Sequence, residues 1–440
     1  MFVEFTVENF RSFRDKHVFT MQAAALRSND SGLEESNVFT KNNFRLLKSK
    51  AIYGQNASGK SNIISALSFF KDMVNKSVRE EGMASKIWDN RFGLLSDWDD
   101  QPIRFELVFF DDDVLYRYGF AINDGKVEAE WLFGRPGKQE VKYFVRQYDE
   151  VDASDRYFLG GTQYSTLMKV GTNEIFRPDS LFLTGAALMS HELGHKLRQA
   201  VLSSITIING LADKQKSQIS MGALIAGTIK DKDAIRSLIA AADRSIKDLE
   251  MLPDQEDSNT LEKDQEGLPQ GKNVMRLYSI RDQYNTEGDL TRQIPTDFGK
   301  WESEGTQKLF AIIPFVLQAL LKGSLLVIDE FDARFHPALT KKIVDLFHTP
   351  STNPHNAQLI FVTHDASLLS RSRLRRDQVC LVDKNQYGVS SFRSLINYKG
   401  VRKDASYEKE YLQGTYGAVP YLDEFDHIIA SYVNTGDERG

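Results

Sequence analysis

Apolar and polar residues alternate over residues 2–7 (FVEFTV), the period of a strand with one buried face. ENFRSF follows, and HVFTMQA reads as a second strand. A third strand, LKSKAIYG, runs into a glycine-rich stretch, after which residues 61–78 take up a helical period. Alternation returns between Ile103 and Gln147 in IRFELVFF, LYRYGFAI, VEAEWLF and VKYFVRQ, with a turn signal at Asn123-Asp124-Gly125. Residues 176–250 carry helical periodicity, and the polar run at 254–272 predicts an exposed loop. From 301 to 370 the pattern alternates again: helix TQKLFAIIPFVLQALL, strand SLLVIDE, helix PALTKKIVDLF, strand AQLIFVTH. Such βα alternation predicts a parallel sheet. No internal repeat is present, and the insertion is too short for long coiled-coil arms.

Composition narrows the class. The chain of 440 residues is 41% hydrophobic and 26% charged, the balance of a globular protein. A formal net charge of -6 argues against broad coating of nucleic acid, while leaving room for a local basic groove. The single cysteine, Cys380, has no internal disulfide partner. The opening MFVEFTVENF lacks the basic-then-apolar layout of a signal peptide. The longest apolar run, Leu309 to Leu321, is broken by Pro314 and Gln318 and is too short to span a bilayer. These features predict a cytoplasmic protein with no membrane partner.

The glycine-rich stretch holds the first candidate chemistry. Gly54-Gln55-Asn56-Ala57-Ser58-Gly59-Lys60-Ser61 fits G-x-x-x-x-G-K-S between a strand and a helix. Such a loop points backbone N–H groups at phosphates, and the helix it opens favours anions at its N-terminus. Lys60 would reach the β- and γ-phosphates and Ser61 would bind Mg²⁺. Downstream, LLVIDEFDARFHP ends a strand in Asp329 and Glu330, placed to hold Mg²⁺ through water and to polarise an attacking water. LIFVTHD ends another strand in His364, a candidate γ-phosphate contact. Ser303, the Gly305 amide and the helix that follows them form a second anion-binding surface. One domain with one nucleotide has no obvious use for two such helix ends.

These elements, in this order, resemble the ABC-type AAA-family ATPases of the RecF/SMC-like and OLD-like branch. The resemblance implies an α/β P-loop NTPase fold with an N-terminal β-rich lobe, a parallel core sheet and an inserted helical lid region. It divides the chain into residues 1–175, a helical insertion at 176–295 and a C-terminal part at 296–440. It implies ATP and Mg²⁺ as cofactors, with ATP held between two protomers of a homodimer or higher homo-oligomer. The S-x-G-x-Q signature of one protomer (Ser303, Gly305, Gln307) would then close on the γ-phosphate held by the other. The carry-over gives Gly54, Asn56, Ala57, Ser58, Gly59, Lys60, Ser61 and Asn62 to the nucleotide. Ser61 and Asp329 go to the metal, Glu330 to the general base and His364 to the switch. NFRSF (Asn9 to Phe13) is typical of the branch, with Arg11 near the nucleotide, and Asp332 would sit in the D-loop. Gln101 is the candidate Q-loop glutamine. The signature reads S-E-G-T-Q rather than the transporter-like S-G-G-Q, and residues 150–295 carry no family motif.

The segments LRRDQVCLVDKN and RKDASYEKEYLQGTYGAVPYLDEF, with the NASGKSN form of the loop, resemble RloA and AbiL-type ATPases of anti-phage loci. That implies a separate effector, a nuclease of TOPRIM or RloB type, with DNA or a phage protein as trigger. About 55 residues follow the Cys380 strand, too few for a TOPRIM fold, so the nuclease is expected in trans. A DNA-repair clamp of the RecF type is the alternative, and salt-dependent DNA binding would distinguish it. A zinc peptidase is the remote one, through His191-Glu192-Leu193-Gly194-His195, an H-E-x-x-H match lacking a third ligand at family spacing. Arg371, Arg373, Arg375 and Arg376 fit a nucleic-acid contact and a solvated or partner face equally well, and the alternating aromatics of 103–148 fit a sheet core.

Overall fold

The computed structural model describes residues 1–26, 31–98, 100–149, 154–159, 177–189, 191–209, 232–253, 275–398, 406–417 and 425–436. Contacts divide the chain into two units, one of residues 1–209, 319–331 and 341–440 and one of 210–318 and 332–340.

The first unit holds two large sheets. One is antiparallel: β1 (Phe2–Glu8), β2 (His17–Thr20), β6 (Ile103–Asp111), β7 (Val114–Asn123), β8 (Lys126–Arg135), β9 (Val141–Asp149) and β10 (Ser154–Leu159), in the order β10-β9-β8-β7-β6-β1-β2. The other contains β5 (Ser49–Gly54), β11 (Ile205–Ile208), β15 (Leu325–Ile328), β16 (Gln358–Val362), β17 (Val379–Lys384) and β18 (Ser390–Ser394). Its order is β11-β15-β16-β5-β17-β18, and every pairing is parallel except that of the last strand. A parallel strand covered on both faces has no polar side. That is why β5, β15 and β16 are buried along their whole length.

Helix α2 (Lys60–Lys76) packs between these sheets. Its Ile63, Ile64 and Leu67 meet Ile52, Val327 and Ile360 of the parallel sheet and Phe2, Phe5 and Phe19 of the antiparallel one. Further along, Phe70 stacks on Phe120 at 5.3 Å and meets Phe5 edge-on at 5.7 Å. Each such buried side chain contributes about 1.5–3 kcal/mol, so the helix behind the glycine-rich loop is firmly anchored. Polar ties add register: Phe2 N–H donates to Gln358 Oε1 at 2.9 Å, and Gln358 Nε2 donates back to the Phe2 carbonyl at 3.1 Å. Glu130 and Arg146, both fully buried, pair at 3.7 Å, and Glu130 also accepts from the Leu183 N–H and the Tyr118 hydroxyl. Burial pushes the Glu130 carboxyl above its ordinary range, against the pull of Arg146 and these donors.

The remaining described elements of the first unit are α1 (Ser31–Asn37), the hairpin β3 (Val38–Lys41) and β4 (Phe44–Leu47), α3 (Met83–Trp88), α4 (Phe182–Leu188) and α5 (Glu192–Ser204). Near the C-terminus come α10 (Tyr407–Leu412) and α11 (Phe425–Gly436). The second unit contains α6 (Lys232–Ala242), α7 (Phe298–Trp301) and an antiparallel sheet of β12 (Ile246–Pro253), β13 (Met275–Tyr284) and β14 (Leu290–Asp297). Helices α8 (Glu304–Lys322) and α9 (Pro337–His348) begin there.

Helix was expected throughout 176–250, and the structure corrects this at two places in that region's described part. Ile205-Thr206-Ile207-Ile208, a β-branched run, pairs in parallel with β15 as an edge strand. Ile246–Pro253 pairs with β13, so the insertion carries a sheet as well as helices. The loop expected at 254–272 lies outside the described residues. Among the described residues, no helix is long and apolar enough to cross a membrane.

One buried histidine makes the fold pH-sensitive. His348 Nε2 lies 2.8 Å from Ser49 Oγ, which itself accepts from Gln378 Nε2 at 2.9 Å. Ser49 Oγ and the imidazole share a hydrogen bond whose direction the ring's tautomer sets. Burial, with Lys48 and Arg373 nearby, pushes this imidazole from 6.5 down to about 3. The unfolded chain takes up the proton as pH falls through 6.5 and the folded chain does not, so stability is full above that pH. It should fall by up to ~1.4 kcal/mol per pH unit below it, until about pH 3. His348→Gln should flatten the decline of Tm between pH 6.5 and 4; an unchanged slope would remove His348 from the account.

Candidate functional site

The parallel sheet places three chain reversals at one edge. β15, β16 and β5 are adjacent and run in the same direction, so the residues after Ile328, Val362 and Gly54 emerge together. Ligands of open α/β sheets bind at this carboxyl edge.

After β5 the chain forms the glycine-rich loop. A Cβ at Gly54 would stand 2.3 Å from the Val382 carbonyl oxygen and 2.7 Å from Ser58 Oγ, so only glycine fits. Ala57 adopts φ 61°, and Gly59, at the N-cap of α2, adopts φ 107°. A Cβ on Gly59 would also press on Ser390 Oγ at 2.5 Å and Ser12 Oγ at 2.7 Å. Lys60 is buried, and its ammonium donates to the carbonyls of Gly54 and Gln55, at 2.8 Å each. The cation thus sits inside the loop rather than in solvent. Ser58 Oγ is buried with no hydrogen-bond partner among the described residues. A tight loop, a confined ammonium, a helix N-terminus and an orphaned hydroxyl fit an anionic phosphate chain.

After β15 comes Asp329, which is buried and hydrogen-bonded to the Ser61 side chain. Its N–H donates to the Ile208 carbonyl at 2.9 Å, and its Oδ1 accepts from the Glu330 N–H at 3.0 Å. Burial pushes the Asp329 carboxyl above its ordinary range, against the pull of Ser61, the Glu330 N–H and the Lys60 charge. Glu330 takes φ 49°, unusual for a residue with a Cβ, as the chain turns sharply and Phe331 N–H donates to Val362. Ser61 and Asp329 are an all-oxygen pair suited to Mg²⁺, which keeps several waters and takes few protein ligands. After β16, His364 is exposed, and the turn is held by Asp365 N–H on Thr363 Oγ1 at 3.0 Å. Tyr53 at the end of β5 ties the two reversals together, its hydroxyl donating to the Asp365 carbonyl at 3.0 Å.

The NFRSF segment borders the loop. Arg11 donates to Asn90 Oδ1 at 2.9 Å, to Ser65 Oγ at 3.0 Å and to Asn62 Oδ1 at 3.5 Å, reaching the first turns of α2. Asn62 Nδ2 donates to Ser12 Oγ at 2.7 Å, so Asn62 braces the loop from its outer side. Gln101 is exposed before β6, its carbonyl accepting from the Asn9 side chain. Sequence reasoning missed Ser390, whose hydroxyl donates to the Ser58 carbonyl at 2.5 Å; a serine beside a strand carries no signal of its own.

The second anion-ready helix end belongs to the second unit. Ser303 is exposed and caps α8: its Oγ accepts from Thr306 N–H at 3.1 Å, and its carbonyl accepts from Gln307 N–H at 2.9 Å. Gln307 Nε2 donates to the Glu302 and Gly299 carbonyls at 2.9 and 3.1 Å, so its amide braces the turn. A Cβ at Gly305 would lie 2.8 Å from the Arg334 carbonyl, which explains the glycine. Glu302 is buried and clamped by Arg281 at 2.7 Å through both oxygens, fixing the backbone just before Ser303. Asp332 also falls in the second unit, where its carbonyl accepts from Phe335 N–H at 3.0 Å.

Two other sequence features take structural roles. His191 stands at the N-cap of α5 in an extended conformation, and its Nδ1 accepts from Gly194 N–H at 3.3 Å. The His191 ring thus serves as a helix cap, and no cluster of three metal-ligating side chains occurs among the described residues. Of the arginines, Arg375 is buried with Asp377 at 2.8 Å, Arg373 pairs with Asp345, and Arg371 lies over the Tyr407 ring.

No curated protein gives a significant match. Among solved structures, the SMC head domain from Thermotoga maritima is 13% identical with a TM-score of 0.38, over 89% of this chain and 98% of that one. The family model described as "AAA domain, putative AbiEii toxin, Type IV TA system" matches residues 51–370, a span that runs from the strand before the glycine-rich loop past His364. The chain belongs to that AAA family.

Proposed function

We propose that the chain is a cytoplasmic, ATP-hydrolysing ABC-type ATPase of an anti-phage or abortive-infection system, of the RloA and AbiL kind. Its nucleotide state would control a separate effector, a TOPRIM or RloB-like nuclease. The observation that supports this best is the edge where Lys60, Ser61, Asp329 and Glu330 converge, with His364 one strand away. The loop amides and Lys60 hold the phosphates. Ser61 and Asp329 hold Mg²⁺, which when bound offsets charge on the β- and γ-phosphate oxygens. Glu330 accepts a proton from the water whose oxygen bonds to the γ-phosphorus as the bond from that phosphorus to the β–γ bridging oxygen breaks and ADP leaves, and His364 contacts the γ-phosphate from the neighbouring reversal.

The Ser303-capped end of α8 serves a second protomer's nucleotide. ATP then joins two copies, and hydrolysis releases them. A site completed in trans makes activity depend on association. Phosphate release per protomer should rise with protein concentration and then level off. A specific activity that stays flat over a ~100-fold range, down to concentrations where the protein is monomeric, would sink the shared site.

A further inference from the structure

The short helix α10 reaches the base of the glycine-rich loop. Tyr411, buried on α10, meets the fully buried Tyr53 edge-on, with ring centroids 5.5 Å apart. The Tyr411 hydroxyl accepts from the Gly54 N–H, at the first residue of the loop. Tyr53 in turn holds the Asp365 carbonyl next to His364, and α10 also packs on the turn Ala366–Leu368. One short helix therefore touches both reversals that would surround a γ-phosphate. Gly54 has little room to move, since Val382 and Ser58 leave no space even for a Cβ. A change at Gly54 bears on the two groups that hold its backbone, the Lys60 ammonium at its carbonyl and the Tyr411 hydroxyl at its N–H.

We propose that Tyr411 is a positioning residue for the phosphate loop, through which α10 senses whether the loop holds a nucleotide. This rests on the ATPase reading above. Tyr411 acts through the Gly54 amide and the Tyr53 ring, and it makes no contact with nucleotide. The coupling runs both ways: whatever binds or shifts α10 must alter nucleotide affinity by the same factor with which nucleotide alters α10.

The test uses the full chain and Mg-ATPγS as probe. Tyr411→Phe keeps the ring and its packing but removes the acceptor. It should lower Tm by a few degrees, because the Gly54 N–H loses its acceptor, and weaken ATPγS binding by up to ~10-fold, the scale of one buried hydrogen bond. Hydrogen exchange of residues 407–412 in the unsubstituted chain should slow when ATPγS is added. Unchanged affinity in a folded Tyr411→Phe protein overturns the proposal. Should that variant unfold, the exchange measurement decides alone, and exchange indifferent to ATPγS overturns it. Failure of the unsubstituted chain to bind ATPγS at all would instead overturn the ATPase reading, and this inference with it.

Discussion

Lys60→Ala is expected to abolish nucleotide binding while leaving the protein folded. The ammonium is buried in the loop, 2.8 Å from the carbonyls of both Gly54 and Gln55. Two carbonyls aimed at one cation make a pocket that repels a phosphate once the cation is gone. Loss of a charge-assisted contact to an anion costs ~1.5–3 kcal/mol, and the exposed carbonyl dipoles add to it. Affinity for ATP should therefore fall by ~10–200-fold from the lost contact alone, and further from the carbonyl dipoles. Stability should change far less, because α2 is anchored by Ile63, Leu67 and Phe70 rather than by its first residue. Titration with a fluorescent ATP analogue, beside a melting curve of the same sample, separates the two. Near-normal binding or turnover by pure Lys60→Ala protein would remove the loop from the site.

Much of this architecture was legible in the chain because its signals are local. A glycine whose Cβ would strike Val382 or Ser390 must remain glycine, and so the loop announces itself. Strands buried on both faces read as unbroken apolar runs, which made SLLVIDE and AQLIFVTH recognisable with their polar ends. What escaped was set by partners distant in sequence. Ile205–Ile208 follows a helical run directly and becomes a strand only because β15 offers an edge. The β12–β14 sheet depends on pairing across the 254–274 segment, which no window of the sequence reveals. Arg375 read as part of a basic surface, yet Asp377 at 2.8 Å and the Ala24 carbonyl at 3.0 Å draw it into the interior. Tyr411 lay within a segment chosen for family likeness, and nothing in its spacing placed it at Gly54.

Glu330→Gln should separate ATP binding from ATP hydrolysis. The substitution keeps size and shape, so the turn at φ 49° and the bond from its N–H to Asp329 Oδ1 at 3.0 Å are preserved. Asp329, Ser61 and Lys60 are untouched, and ATP should bind with affinity within a few-fold of the unsubstituted chain. A carboxamide cannot take the proton from an attacking water, and loss of a general base slows such a step by ~10²–10⁴-fold. Phosphate release should fall by that factor. If ATP joins two protomers, blocking hydrolysis also holds them together, and light scattering should show a larger species with Mg-ATP that Lys60→Ala never forms. The trapped form is the state in which to seek the effector. Tagged Glu330→Gln protein, recovered from its native host with Mg-ATP, should retain a stoichiometric nuclease that Lys60→Ala protein loses or binds differently. DNA recovered without a protein partner would favour a clamp acting on DNA itself. Turnover at the unsubstituted rate would show that Glu330 is not the base, and the proton would have to leave through another group at the same sheet edge, such as His364 after the neighbouring strand.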